Sequence, residues 1–330
     1  MNGNAELKVV NLRKWFPVRK GIVSTLLSRK TEYVRAVDDV SFEIKKGEIF
    51  GLAGESGCGK TTTGKTILRL LEPTSGEIYF EGQDITALNK LDMKKMRQKM
   101  QIIYQDPYES INPRMTVFDI ISEPVSVHKL AESLAETEEI IYKSLEEVEL
   151  LPPEDFVQRF PHELSGGQRQ RVAIARTMVM QPSFIVADEP ISMLDVSIRA
   201  GILKLMLRTK EAKDITYIFI THDLAYARHI CHRGAIMYLG KIVEMTSMDK
   251  LVKNPLHPYT KALMMAVPIP DPTYEKARAV IGGEVPTPIN PPPGCRFHPR
   301  CSQASDICSR EEPKLVEMED GHFVACHHAI

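Results

Sequence analysis

No run of apolar residues in this chain approaches the eighteen or so positions that a membrane helix needs. Any role at a membrane must therefore come through a partner. Charge of one sign is also lacking: 42 Lys and Arg stand against 43 Asp and Glu, a net charge of −1. A general nucleic-acid binder carries a basic excess, so that class is excluded. The stretch from Met1 to Lys14 has no apolar signal core, and the expectation is a chain that is not secreted. Cysteine is sparse until late, with Cys58 and Cys231 standing alone before Cys295, Cys301, Cys308 and Cys326 crowd the C-terminal region. In a cytosolic chain such a cluster suggests metal before disulfide. What is present is ordinary for a soluble globular protein: 43% hydrophobic and 26% charged residues. A length of 330 residues suits one large domain with an appendage, or two domains.

The stretch that organises the rest is Gly54-Glu55-Ser56-Gly57-Cys58-Gly59-Lys60-Thr61-Thr62, a full match to the G-x-x-x-x-G-K-[ST] phosphate loop. Ile49, Phe50, Leu52 and Ala53 before it read as a strand buried in a parallel sheet. Thr62 to Leu71 after it reads as a helix. Strand, glycine loop and helix in that order are the context the motif requires. Glycines let backbone N–H groups converge on phosphate oxygens, and the helix start adds its partial positive charge. Lys60 is placed to bridge the outer phosphates and the Thr61 hydroxyl to coordinate Mg²⁺. The chain is expected to bind a nucleoside triphosphate.

Along the chain, Leu7, Val9 and Leu12 begin a strand that ends in Trp15-Phe16-Pro17, where a ring could stack on adenine or simply cover the core. Lys20 to Arg35 reads as an exposed basic loop. Ser41 to Lys45 alternates as a half-buried antiparallel strand, and Glu77 to Gly82 forms a strand and turn. Gln101 to Tyr104 is a further strand, delivering Gln105 to a strand end, where ligands sit in α/β sheets. Gln105 could reach Mg²⁺ or the attacking water, or be a plain turn residue. Asp106 to Arg114 reads as a surface loop. Val117 to Leu150 is helical with an interruption near Pro124, and its acidic run reads as a solvated face. Leu164-Ser165-Gly166-Gly167-Gln168 then opens another helix. Ser165 and Gln168 fit a capping box, while two glycines at a helix start suggest close approach of backbone to something, such as a phosphate. Phe184 to Ala187 leads to Asp188 and Glu189, two carboxylates at a strand end. Asp188 is placed for the Mg²⁺ hydration shell and Glu189 to orient or deprotonate water. Met193-Leu194-Asp195 forms a short loop, and the β-rich Ile215 to Thr221 presents His222.

In order and spacing, the phosphate loop, Gln105, Leu164 to Gln168, Asp188-Glu189, Asp195 and His222 resemble an ATP-binding-cassette ATPase over residues 7 to about 250. The resemblance implies an α/β fold: a phosphate-loop core sheet, an antiparallel β subdomain and a helical subdomain at about 106–168, within an ATPase domain of 1–252. It implies two cassettes facing head to tail, each ATP held between one phosphate loop and the other chain's Leu-Ser-Gly-Gly-Gln helix. Carried over by position, Gly54, Ser56, Gly57, Cys58, Gly59, Lys60, Thr61 and Thr62 hold phosphates, with Thr61 and Gln105 at Mg²⁺. Gln105 also links the site to a transmembrane partner, Asp188 orders Mg²⁺, Glu189 is the general base and His222 contacts the γ-phosphate. Ser165, Gly166, Gly167 and Gln168 serve the facing site, Asp195 lies on the loop that crosses the dimer, and Phe16, ahead of Trp15, stacks on adenine. Ile191 and Met193 are larger than the residues usual after Pro190, which bears on dimer packing alone.

Tyr104 to Tyr108, Asn112-Pro113-Arg114, His257-Pro258-Tyr259-Thr260 and Val267 to Pro270 resemble the dipeptide/oligopeptide-importer branch. Met237 to Lys241 is similar to the second of that branch's two paired ATPases. The resemblance implies a transport ATPase, peripheral on the cytoplasmic face of the membrane. Its partners would be a second ATPase subunit, identical or paralogous, two transmembrane permease subunits and, indirectly, an extracytoplasmic solute-binding protein. Oligosaccharide import by the same branch is the alternative. A soluble cassette protein of repair or translation would need a long heptad insertion or a second phosphate loop, and neither is present.

Residues 253–330 resemble the branch's C-terminal extension and carry the four late cysteines. Prolines at 286, 288 and 291–293 stiffen the approach to Cys295, and the cysteines follow a C-x5-C-x6-C-x17-C spacing. Four thiolates suit a structural Zn²⁺, although C-x2-C knuckles are missing. Resemblance to peptide-importer ATPases with such tails implies instead a [4Fe–4S] cluster on Cys295, Cys301, Cys308 and Cys326. His298, His327 and His328 are read as bystanders. Cys58 is expected to be exposed to oxidation when ATP is absent, and Cys231 to be a packing residue.

Overall fold

The computed structural model describes residues 5–18, 31–266 and 286–329. The chain divides into two units, the first comprising 1–45, 49–87 and 219–330, the second 46–48 and 88–218.

The first unit opens with two long strands, β1 (Ala5–Pro17) and β2 (Tyr33–Lys45). Alternation along β2 buries Val40, Phe42 and Ile44 and exposes the residues between them, the period-2 signature of a half-covered antiparallel strand. Then come β3 (Ile49–Ala53), β4 (Ser75–Phe80) and β5 (Gln83–Asp84). β2, β1, β4 and β5 form an antiparallel sheet in that order, with Leu7, Val9, Leu12, Ile78 and Phe80 packed beneath it. Of the stretch expected as a basic loop, 20–30 lie outside the described residues. Tyr33 to Arg35 belongs to β2, because backbone pairing with β1 continues to Pro17 and Tyr33.

The second unit carries β6 (Met100–Ile103) and β7 (Phe184–Asp188), which run parallel. All five residues of β7 are buried, as a parallel strand covered on both faces requires. The chain passes back to the first unit along β8 (Thr216–Thr221). There β9 (Arg233–Tyr238) pairs in parallel with β3 and antiparallel with β10 (Lys241–Ser247). The C-terminal hairpin, β11 (Val316–Glu319) and β12 (His322–Val324), adds to β10 through Glu244 with Val324 and Met245 with Phe323. The cysteine-bearing segment is therefore sewn into the sheet of the first unit.

Helices fill most of the second unit. Val117–His128 starts at a Thr116/Asp119 capping box and runs through Pro124 without the expected interruption. It stops at Lys129, whose φ of 54° is left-handed, so the break falls at the C-cap. Leu134–Glu147 and Gly166–Met178 follow, burying Ile141, Leu145, Val172 and Ile174. Within 106–114 the expected loop contains one short helical turn, Pro107–Ser110, begun by the Asp106 side chain and Pro107 at its first position. The helix after the phosphate loop, in the first unit, is shorter than periodicity suggests, Lys60–Ile67. No helix among the described residues is long and apolar enough to cross a membrane.

Candidate nucleotide site

The phosphate loop connects β3 to the helix Lys60–Ile67 in the first unit, the order its sequence demands. Two of its glycines are obligatory. Gly54 has φ 149°, and a β-carbon there would meet the Met237 carbonyl oxygen at 2.3 Å. Gly59 has φ 109°, and its β-carbon would fall 2.0 Å from the Ala36 carbonyl oxygen. The loop's tight wrap against neighbouring backbone thus excludes any side chain at either place. Lys60 is buried and turns back on the loop, its Nζ donating to the carbonyls of Gly54 at 2.8 Å and Glu55 at 3.0 Å. Cys58 is buried as well, and burial raises its thiol pKa, the opposite of the exposed, oxidisable sulfur expected. Cys231 packs as foreseen, with its sulfur 3.2 Å from where a β-carbon on Gly51 would lie. Ser56 and Gly57 are exposed, and Thr61 and Thr62 half-buried.

Aromatic residues at the end of β1 divide their roles. Trp15 donates from Nε1 to Asp38 Oδ1 at 3.1 Å and lies under the Arg35 guanidinium, 4.8 Å from its ring centre. Phe16 is half-buried with the Lys14 ammonium 4.9 Å from its ring centre. His222, just past β8 in the same unit, is exposed ahead of the helix Leu224–Ile230 that Asp223 caps.

The second unit brings together Gln105 and Glu189. Gln105 Nε2 donates to Glu189 Oε2 at 3.1 Å, so the ends of two adjacent parallel strands share a polar contact. Asp188 is the last residue of β7 and is buried. Glu189 has a left-handed backbone, φ 47°, which turns the chain sharply at the strand end. In the Leu164–Gln168 segment the capping box is complete: the Gln168 N–H reaches Ser165 Oγ at 3.3 Å, and the Ser165 N–H reaches Gln168 Oε1 at 2.9 Å. Gly167 is small for an internal reason, since a β-carbon there would sit 2.7 Å from Ile198 Cγ2. Ser165 and Gly166 are exposed. Asp195 opens the helix Val196–Lys213 without a side-chain cap and is exposed.

Residues near the loop that sequence reasoning passes over come from the C-terminal region of the first unit. Arg300 holds Glu55 with two hydrogen bonds, Nη1 to Oε2 at 2.8 Å and Nη2 to Oε1 at 3.2 Å. The Glu55 N–H donates to the Tyr259 hydroxyl at 2.9 Å. Arg296 pairs with Asp38 and donates to the Leu239 carbonyl, all buried. Phe297 lies among Tyr238, Tyr259 and His257. One signal is available in sequence: a carboxylate inside a phosphate loop calls for a counter-charge. Its partner is 245 positions away, beyond the reach of any local pattern.

Among the described residues no group of three or more His, Cys, Asp or Glu side chains is arranged to hold a metal ion. The four C-terminal thiols are nonetheless neighbours. Burial pushes the Cys295 thiol up to about 11, with its backbone partner Phe297 opposing and Cys326, Cys308 and Cys301 adding to the rise. Cys301 receives the Gln303 N–H at 3.4 Å and Cys326 the His328 N–H at 3.4 Å, while the Ser305 hydroxyl lies 3.6 Å from the Cys308 sulfur.

Comparison with known proteins identifies the class first. The chain superposes on the dimeric structure of a post-hydrolysis state of the ATP-binding cassette MJ0796 bound to ADP and Pi, with a TM-score of 0.64 and 29% identity over 73% of this chain and 98% of that one. CbiO1 of Clostridium perfringens, part of an ABC transporter complex, gives a TM-score of 0.63 and 25% identity over 76% of this chain and 92% of its own. A family model described as ABC transporter matches residues 37–192, and one described as oligopeptide/dipeptide transporter, C-terminal region, matches 243–308. The oligopeptide transport ATP-binding protein AppF of Bacillus subtilis is 46% identical over 99% of this chain and 98% of its own length. A probable peptide ABC transporter ATP-binding protein, y4tS of Sinorhizobium fredii, is 47% identical over 98% and 90%. The chain belongs to the ABC transporter ATP-binding proteins, in their oligopeptide/dipeptide branch.

Proposed function

We propose that this chain is the ATP-hydrolysing subunit of a peptide importer, working as a pair of cassettes on the cytoplasmic face of the membrane beside two permease subunits. Full-length similarity to ATP-binding proteins of peptide transport carries the reading. It favours peptides over the oligosaccharide alternative. Carried over from the family's motifs, Lys60 would bind the β- and γ-phosphates, Thr61 and Gln105 would be ligands for Mg²⁺, and Asp188 would order its water. Glu189 takes the proton of the attacking water, and its hydrogen bond with Gln105 supports that role by tying base and metal ligand together. His222 contacts the γ-phosphate. Trp15 is already engaged by Asp38 and Arg35, which leaves Phe16 for adenine. The exposed Ser165–Gly166 helix start serves the ATP of the facing cassette, and Asp195 lies on the crossing loop.

Glu189→Gln tests this. The variant should bind Mg·ATP and accumulate as a closed pair, with turnover reduced about 10²–10⁴-fold. Normal hydrolysis by that variant would remove Glu189 from the role.

We further propose that Cys295, Cys301, Cys308 and Cys326 hold a [4Fe–4S] cluster. Four neighbouring thiols, three with a backbone N–H on sulfur and Cys308 beside the Ser305 hydroxyl, fit a cluster that needs four thiolates. Such a cluster would supply structural cross-linking and an oxidation-sensitive centre. Four iron and four sulfide per chain after anaerobic purification is the expected analysis; stoichiometric zinc would decide against it.

A further inference from the structure

Glu55 is an anomaly. It puts a carboxylate into a loop whose task, on the reading above, is to receive a triphosphate, and like charges at close range repel. The structure handles this carboxylate in a definite way. Arg300 meets it with a bidentate pair, and the arginine side chain is only 6% exposed against 23% for the glutamate. A second contact braces the guanidinium, whose Nη1 also lies 3.4 Å from the Tyr238 hydroxyl. Arg300 ends the short 3₁₀ turn His298–Arg300, whose preceding residue Phe297 is buried among three rings. Its position is therefore set by a rigid core. The backbone of Glu55 is fixed as well, its N–H on Tyr259, which is fully buried, and its carbonyl on Lys60.

We propose that Arg300 is a positioning residue for the nucleotide: it neutralises Glu55 and draws its carboxylate aside, so that the C-terminal segment completes the phosphate loop of its own chain. The inference rests on reading residues 54–62 as the ATP loop. It assigns to the region after β10 a direct part in ATP affinity. A bidentate arginine pair fixes both charge and direction, which a lysine does only in part.

The test is Mg·ATP binding by calorimetry on the full-length chain and its variants. Arg300→Met should weaken binding about tenfold, equivalent to 1.4 kcal/mol, with a steeper dependence on ionic strength because a bare carboxylate now faces the phosphates. Arg300→Lys should restore part of the loss. Adding Glu55→Gln to Arg300→Met should bring the affinity back to within about threefold of wild type, since the repulsion is gone. Glu55→Gln alone keeps the shape of the side chain and should bind Mg·ATP at least as tightly as wild type. A purely structural ion pair predicts the reverse, a double variant no better than Arg300→Met; that result overturns the proposal. So does weakened binding by Glu55→Gln alone, which needs no disruptive variant to fold. Failure of the wild-type chain to bind Mg·ATP would instead overturn the reading of the loop itself.

Discussion

Lys60 shows what a single residue contributes and how much of it sequence discloses. Its place in the motif predicts a phosphate ligand, and the structure adds its resting partners, two carbonyls of its own loop. Lys60→Ala should weaken Mg·ATP binding by about 1.5–3 kcal/mol, the worth of a hydrogen bond to a charged group, as read by nucleotide titration. Cys58 goes the other way. Sequence alone suggests exposure, but the sulfur faces inward because Gly54 leaves room for it, 2.9 Å from where a β-carbon would stand. That depends on three-dimensional wrap and is not written in the motif.

A second residue carries a pH dependence. His257 is 1% exposed, and its Nδ1 accepts the Tyr259 N–H at 3.0 Å. Burial lowers its pKa from 6.5 to about 3. Between those values the unfolded chain binds a proton that the folded one refuses. Stability should therefore fall as pH drops through that window, by up to about 1.4 kcal/mol per unit. The loss of melting temperature between about pH 6.5 and pH 4 should be smaller in His257→Gln than in wild type; equal losses would exclude this histidine as the source.

Among elements, the strands are the most legible. β3 and β7 read correctly as apolar runs and β8 as a β-rich stretch, because burial on both faces leaves no alternation to interpret. Helix ends are less so. Pro124 looks like a break, yet the helix stops at the left-handed Lys129, a backbone conformation that no side chain there announces. The capping box of Gly166–Met178 is readable from Ser165 and Gln168, whereas the need for Gly167 is not, because Ile198 approaches from another helix. Ser165→Ala should cost about 1 kcal/mol of stability through the cap. If Ser165 also serves a facing nucleotide, the variant should lose ATP-dependent pairing beyond what its melting curve explains.

At the scale of the whole chain, sequence places the catalytic motifs in order but pictures the region after 252 as an extension. The structure joins it to the first unit at several buried points. β12 pairs with β10, Arg296 reaches Asp38, and His322 Nε2 donates to Glu244 Oε1 at 2.7 Å with both side chains fully buried. Glu244 also accepts the N–H groups of Leu256 and His257. Spacing patterns cannot reveal partners 78 or 258 positions apart. A chain ending before Pro286 takes the histidine and the covering strand β12 from Glu244, and losing such a hydrogen bond costs about 1–3 kcal/mol. Its melting temperature should fall steeply; a truncated chain as stable as the full one would show that these contacts contribute little.

The curled lysine of the phosphate loop has partners that any ligand must replace. Two neutral carbonyls leave the ammonium its full positive charge, but an anion that takes the lysine must still exchange with them. A longer polyanion brings several oxygens to the neighbouring amides at once and can dislodge the side chain where a single group would not. A polyphosphate is therefore expected to hold the lysine better than inorganic phosphate does, which competition of the two for the loop would check.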